Sequence, residues 1–331
     1  MNTFFLDRLN SEPHALAFAG QSTPWPVALA DQSANPALDE ALHTHAAAAQ
    51  ALLYPVSAEL LATTGRPVDL FGFEPNPAHL GAAAAASASV PGIALTQLGA
   101  LLDAAALGYN PAQAKPVAVL GHSQGVLAVH MVQAICEAGS IDAAAAKIDE
   151  ILAIATLIGV AGTRQARQLG LAARHGEATP MLSVKDITRA QVDALIERVD
   201  GARGPIAVAV TNSATHYVLS GYPEDLAAFG VEVAKEHKRQ AKLREEKVRG
   251  GRVFDPTLEY LDVTLPFHSP LMADAVSQAV AWAEACGINA DHARELAAEV
   301  LLNHVDWAAR VRALMKSTDP SALWVLDFGP G

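Results

Sequence analysis

The stretch Val117-Ala-Val-Leu-Gly-His-Ser-Gln-Gly-Val-Leu-Ala-Val-His-Met-Val-Gln-Ala-Ile-Cys-Glu-Ala-Gly139 decides the fold. Val117 to Leu120, after Pro116, reads as a buried strand, and Gln124 to Ala138 reads as a helix stopped by Gly139. Between them Gly121-His122-Ser123-Gln124-Gly125 has the GxSxG pattern. A strand that turns at once into a helix needs small residues on both sides of the serine. The turn lifts the Ser123 hydroxyl above the sheet, at a helix N-terminus whose N–H groups and positive dipole end favour a developing oxyanion. About 0.1 such pentapeptides arise by chance in a chain this long. Ser123 is the candidate nucleophile.

Outward from this turn, short apolar runs alternate with long Ala-rich helical stretches, the grammar of a layered α/β protein with a mainly parallel sheet. Leu16 to Phe18 reads as a first buried strand ending in Gly20-Gln21. Helical pattern covers Ala37 to Leu61 and Ile93 to Leu107, and Ile151 to Gly162 reads as a buried helix. From about Ala178 the order becomes β-α-β-β-α-β, with Thr188 capping a helix whose apolar face is Val192, Leu195, Ile196 and Val199. That order is the split, ferredoxin-like arrangement. The expected organisation is an α/β core, similar to that of α/β-hydrolases, over 1–177 and 266–331, with a ferredoxin-like subdomain inserted at 178–265.

A serine nucleophile needs a base. His268, in Leu265-Pro-Phe-His-Ser-Pro-Leu-Met272, lies 145 residues downstream where the chain leaves the insertion, and is the best candidate. His130 shares a helix face with Ser123 but sits about 10 Å below it by helical rise. His14, His43, His45, His175, His216 and His237 read as surface or turn residues. His122 flanks the serine and is placed to tune the site rather than to take its proton.

Composition narrows the partners. The 331 residues are 51% apolar and 18% charged, which excludes a disordered chain. A net charge of -12 argues against nucleic acid, whose phosphates demand surplus Lys and Arg. Cys136 and Cys286 cannot staple such a chain and form no metal-binding pattern, as suits a reducing cytoplasm. No secretory signal opens the sequence, and the charge-free stretch from Gly81 to Leu102 is too weakly apolar for a bilayer span. Lys235 to Arg252 carries eight Lys or Arg against three Glu. It is read as a solvated helix and loop or interdomain surface, or as a contact for the phosphates of a ligand or for an acidic partner.

An ordered set of motifs resembles the acyl-CoA:acyl carrier protein transacylase family, the malonyl/acetyl transferase domains of fatty acid and polyketide synthases. The set is Phe18-Ala-Gly-Gln-Ser22, Leu95-Thr-Gln97, GHSQG, the stretch from Thr211 to Gly221, PFHSPLM, Val305-Asp-Trp307 and Phe328-Gly-Pro-Gly331. GHSQG points to acetyltransferase domains of type I fatty acid synthases of the fungal and mycobacterial/corynebacterial kind. The resemblance implies a ping-pong reaction. Ser123, deprotonated by His268, takes the acyl group from a CoA thioester, and the phosphopantetheine thiol of an acyl carrier protein removes it. No permanently bound cofactor is implied. Backbone N–H groups of Gln21 and Gln124 would form the oxyanion hole, a backbone carbonyl would orient the histidine, and Gln97 and Asn212 match pocket positions. Ile158, in Leu157-Ile-Gly159, stands where malonyl-specific members carry an Arg that grips the free carboxylate. Acetyl-CoA is therefore the expected donor, with the other domains of a multifunctional synthase as neighbours and Met1 its natural start.

Two other classes stay open. A serine esterase or thioesterase of the α/β-hydrolase fold also uses GxSxG, with His292 or His304 as the late histidine. A non-catalytic docking module would leave Ser123 unacylated.

Overall fold

The strand expected ahead of the GHSQG turn pairs with the one expected near the N-terminus, and this pairing organises the larger part of the molecule. A computed structural model describes residues 8–9, 11–20, 25–69, 85–171, 178–199, 201–245, 254–319 and 322–329. In chain order its elements are β1 (His14–Phe18), α1 (Trp25–Ser33), α2 (Pro36–Leu52), α3 (Ser57–Thr64), α4 (Ala86–Ala106), α5 (Pro111–Ala114) and β2 (Ala118–Gly121). After a one-turn 3-10 helix at Ser123–Gly125 come α6 (Val126–Ala138), α7 (Ile141–Gln168), β3 (Met181–Lys185), α8 (Arg189–Ile196), β4 (Ala207–Ser213) and β5 (His216–Ser220). The remainder is α9 (Pro223–Glu245), β6 (Thr257–Tyr260), α10 (Ala273–Ala285), α11 (Ala290–Leu301), β7 (Val305–Asp306), α12 (Trp307–Ser317) and β8 (Trp324–Asp327).

The chain is a mixed α/β protein with two sheets. The first runs β2-β1-β8 with both pairings parallel, Phe18 opposite Gly121 and Leu16 opposite Leu326. Parallel strands need covered faces. Here the cover is a helical layer in which α4 lies against α7 and α7 also meets α6 and α10. α7 has 28 residues and is about 42 Å long. Ser140 starts it by accepting the Ala143 N–H, and its middle, Ile151 to Gly162, is buried throughout. α4 is apolar and long enough to cross a membrane by composition alone, yet 67% of its most apolar window is buried inside the protein. It is a core helix.

The second sheet runs β6-β3-β5-β4-β7. Its first four strands are antiparallel neighbours, and β4 meets β7 in parallel through Val210–Val305 and Thr211–Asp306. One face carries Leu182, Val184, Tyr217 and Leu219 under α8 and α9, where Val192, Leu195, Leu226 and Phe229 complete a small separate core. Thr188 and Gln191 form a full capping box at the start of α8.

Several elements differ from the sequence reading. The helix expected over Ala37 to Leu61 breaks at Pro55 into α2, a 3-10 turn and α3, because proline removes a donor and clashes with the preceding turn. β7, only two residues long, comes from beyond residue 266, so the second sheet is completed by the C-terminal part of the chain. His14 is not a surface residue. It is 1% exposed within β1, and its Nε2 lies 2.8 Å from the Tyr109 hydroxyl.

Candidate active site

β2 ends at Gly121, and the backbone then reverses within the 3-10 turn to enter α6. A Cβ on Gly121 would lie 2.5 Å from Val126 N, and one on Gly125 would lie 2.3 Å from Phe18 O. Neither backbone can retreat, so both glycines of the pattern are required by contact. Ser123 between them has φ 54°, in the left-handed region that a residue with a Cβ enters at a cost. The same conformation recurs at His268, φ 56°. Two of the four non-glycine residues with positive φ among the described residues thus face each other across one hydrogen bond.

That bond joins Ser123 Oγ to His268 Nε2 at 2.7 Å. The other ring nitrogen, Nδ1, donates to the Asn303 carbonyl at 2.7 Å. A carbonyl can only accept, so Nδ1 carries the proton and Nε2 offers its lone pair to the serine hydroxyl. The loop holding His268 is itself pinned, because the Ser269 N–H donates to Leu301 O at 3.2 Å at the end of α11. His268 is 2% exposed. Burial pushes its pKa down to about 4, opposed by the Asn303 carbonyl and assisted by His122, His304 and Arg310. No carboxylate is among these influences. The imidazole is neutral at pH 7, the state a general base needs.

His122 Nε2 donates to Asn212 Oδ1 at 2.9 Å, and its ring meets Trp307 edge-on with centroids 5.3 Å apart. Burial is the main cause of its lowered pKa. His122 and Asn212 therefore lock the turn before Ser123 to the second sheet. Thr211 Oγ1 lies 3.0 Å from His304 Nε2 on the same side. Gln124 is buried immediately after Ser123. Gln97 is also buried, but its Nε2 donates to Ala19 O at 2.7 Å and Gly329 O at 3.1 Å, tying two chain segments together. Ile158 is fully buried on α7 in the main apolar core. Gln21 lies outside the described residues; Gly20 just before it packs against His122 O and Ser123.

The other histidines are engaged elsewhere. His130 Nε2 faces Glu299 at 3.4 Å, and His292 Nδ1 faces Glu150 at 3.0 Å. Within the basic run, Lys235 pairs with Glu232 and Arg239 with Glu236; residues 246–253 lie outside the described set. Among the described residues no group of three or more His, Cys, Asp or Glu is placed to hold a metal ion. A cavity of about 440 Å³ lined by Gln50, Leu53, Leu60 and Val68 contains none of the expected site residues. The expected backbone carbonyl on His268 is that of Asn303, a residue the sequence did not single out, and sequence reasoning missed Arg310. The Asn303 carbonyl has no side-chain signature, and Arg310, whose Nη1 donates to Gly121 O at 2.8 Å, is 189 positions from its partner. Arg310 thus sets a guanidinium beside the turn that carries Ser123, away from the Ile158 position where the resemblance placed the family's arginine.

Residues 180–260 match the family described as the fatty acid synthase central AT domain. The fatty acid synthase beta subunit TOXC of Cochliobolus carbonum is 26% identical over 287 residues, 74% of this chain and 13% of the relative. This chain spans between 5% and 13% of the curated relatives it matches. The malonyl CoA-acyl carrier protein transacylase of Burkholderia pseudomallei superposes with TM-score 0.57 at 16% identity, covering 97% of this chain and 94% of that one. A malonyl-transacylase in complex with its type II polyketide synthase acyl-carrier protein gives TM-score 0.55 at 17% identity, covering 96% and 89%. Residues 180–260 are thus similar to the central AT domain of fatty acid synthases, and the fold of the chain is similar to that of malonyl CoA-acyl carrier protein transacylases.

Proposed function

We propose that this chain moves a small uncharged acyl group, acetyl first, from CoA to the phosphopantetheine thiol of an acyl carrier protein. The observation that carries this reading is the Ser123–His268 bond with Nδ1 committed to Asn303 O. In the first half-reaction Nε2 takes the hydroxyl proton as Oγ attacks the thioester carbon. The tetrahedral oxyanion collapses, the C–S bond breaks, and the imidazolium returns its proton to the departing CoA sulfur. In the second half-reaction the carrier thiol gives its proton to Nε2 and attacks the acyl-Ser123 ester, and Oγ leaves with that proton. Backbone N–H groups of Gln124 and Gln21 take the oxyanion; loss of one such donor typically costs about 10²–10³ in rate.

Acetyl preference rests on Ile158. A buried malonyl carboxylate beside an isoleucine would lack a partner, at a cost of several kcal/mol. A second reading, malonyl transfer, is favoured by the guanidinium of Arg310, whose charge reaches His268. Residues 178–265 act in either case as a ferredoxin-like unit forming the wall that His122 grips through Asn212. The chain would work in the cytoplasm with other synthase domains. The deciding experiment is intact-mass measurement after mixing with equimolar acetyl-CoA and malonyl-CoA. An acetyl adduct that disappears in Ser123→Ala is expected. A predominant malonyl adduct would overturn the specificity, and labelling that survives the substitution would overturn the site.

A further inference from the structure

Arg310 lies on α12, the helix that begins at Trp307, and reaches across to the last residue of β2. Its Nη1 donates to the Gly121 carbonyl at 2.8 Å, two residues before Ser123. A charged donor on a carbonyl is among the stronger hydrogen bonds a protein makes. The carbonyl it holds is the one at which the chain leaves the sheet for its strained turn. The side chain is otherwise exposed, and among the described residues it forms no ion pair. The nearest carboxylate on its own helix, Asp306, accepts from the Ala309 N–H at the start of α12. The neighbours that feel the charge of Arg310 are the site imidazoles, His122 in the turn and His268 in its loop.

We propose that Arg310 is a positioning residue of the Ser123–His268 pair: it fixes the turn that presents the serine and holds a positive charge against both imidazoles. The inference rests on the acyl-serine reading above and adds a residue to it. The groups facing His268 are Ser123 and His122 from the turn, the Asn303 carbonyl and His304 from the run into β7, and Arg310 from α12. With three of these cationic or able to become so, protonation of His268 is disfavoured beyond what burial alone imposes. Arg310 thus helps keep Nε2 free for the serine proton as the medium becomes acidic.

Three variants separate the two roles. Arg310→Gln can still donate to Gly121 O but carries no charge, Arg310→Lys keeps the charge, and Arg310→Met keeps neither. The readouts are the pH profile of acyl-Ser123 formation from acetyl-CoA and an NMR titration of the His268 ring. In Arg310→Gln, both the acid limb and the ring titration move up, by about one pH unit or less. Arg310→Lys leaves them at the wild-type position. Arg310→Met moves them like the Gln variant and also loses about tenfold or more in kcat with KM little changed. Should the Gln variant fail to fold, the wild-type ring titrated in low salt and in about 0.5 M salt serves instead, because screening the exposed guanidinium moves the titration upward. Profiles and titrations that coincide in all variants and at both salts would overturn the proposal and leave Arg310 a structural tie. Absence of any acyl-Ser123 in the wild type would sink the acyltransfer reading instead, with the ring titration still deciding this one.

Discussion

His268 and Glu236 are both ionisable groups with little exposure, and they are held in opposite ways. His268 sits in a left-handed backbone conformation, 2% exposed, with one partner for each ring nitrogen. Its charged form is disfavoured by burial. Glu236 lies in the regular helix α9, 8% exposed, and its carboxylate accepts from Arg198, Arg239 and Gln240. Its pKa is held down to about 2, chiefly by the Arg239 hydrogen bond. The His268 ring depends on single partners at fixed positions, whereas the Glu236 carboxylate shares its charge among several. Precision and tolerance are thus segregated.

The largest effect that would break or sharpen this contrast is on acyl transfer. His268→Ala removes the only group among the described residues placed to take the Ser123 proton, and Arg310 cannot stand in because a guanidinium does not deprotonate. The rate of acyl-Ser123 formation should fall by about 10⁴-fold or more, as for other nucleophile–base pairs that act as a unit. Retention of more than about a hundredth of the rate would mean that another base reaches the serine, and the single-partner description would fail.

Much of this half of the molecule was legible in the chain itself. Gly121 and Gly125, the strand before them and the helix after them are local features, and residues that must touch within five positions leave a readable pattern. His268 could be named by its motif, and the resemblance implied a backbone carbonyl to orient it, but which carbonyl could not be named. The Asn303 carbonyl belongs to the backbone, which every residue possesses, and only the packing of α11 brings it to the ring. Arg310 was hidden for a related reason, since an arginine on an amphipathic helix looks like any solvated charge until the fold sets it beside Gly121. β7 is too short to announce itself. His14, by contrast, carried an unused signal. It stands two and four residues before Leu16 and Phe18, on the same face of β1, so strand periodicity alone marks it for burial. The place of Ile158 is the least legible part, because a buried isoleucine in the middle of α7 has the same sequence pattern whatever it packs against.

The second effect is on stability against pH. The folded pKa of His268, about 4, lies below the ordinary value of 6.5, so between these values the unfolded chain binds a proton that the folded chain refuses. The associated stability is present above pH 6.5 and is lost as pH falls toward 4. Over that interval it amounts to roughly 3 kcal/mol. Thermal melts should therefore drop between pH 6.5 and 4 in the wild type, and drop less in His268→Ala. Parallel pH curves for the two proteins would show that the imidazole is not isolated in the way its burial implies.

The smallest effect belongs to the Glu236 cluster. Arg198 reaches Glu236 Oε2 at 3.1 Å with its side chain 49% exposed, and the same oxygen accepts from Arg239 Nε at 2.9 Å. Removing Arg198 leaves the carboxylate with three other hydrogen bonds, two from Arg239 and one from Gln240, so no buried charge is stranded. A pair this exposed contributes about 0–1 kcal/mol. Arg198→Ala should shift the melting temperature by no more than about 2 °C and leave acyl-Ser123 formation unchanged. A larger loss would show that α9 depends on this one contact, and that redundancy is no better a description of the outer face than of the site. A change in acylation rate at unchanged stability would instead couple the distant helix to Ser123 through the second sheet, since β4 carries Asn212, the residue that holds His122.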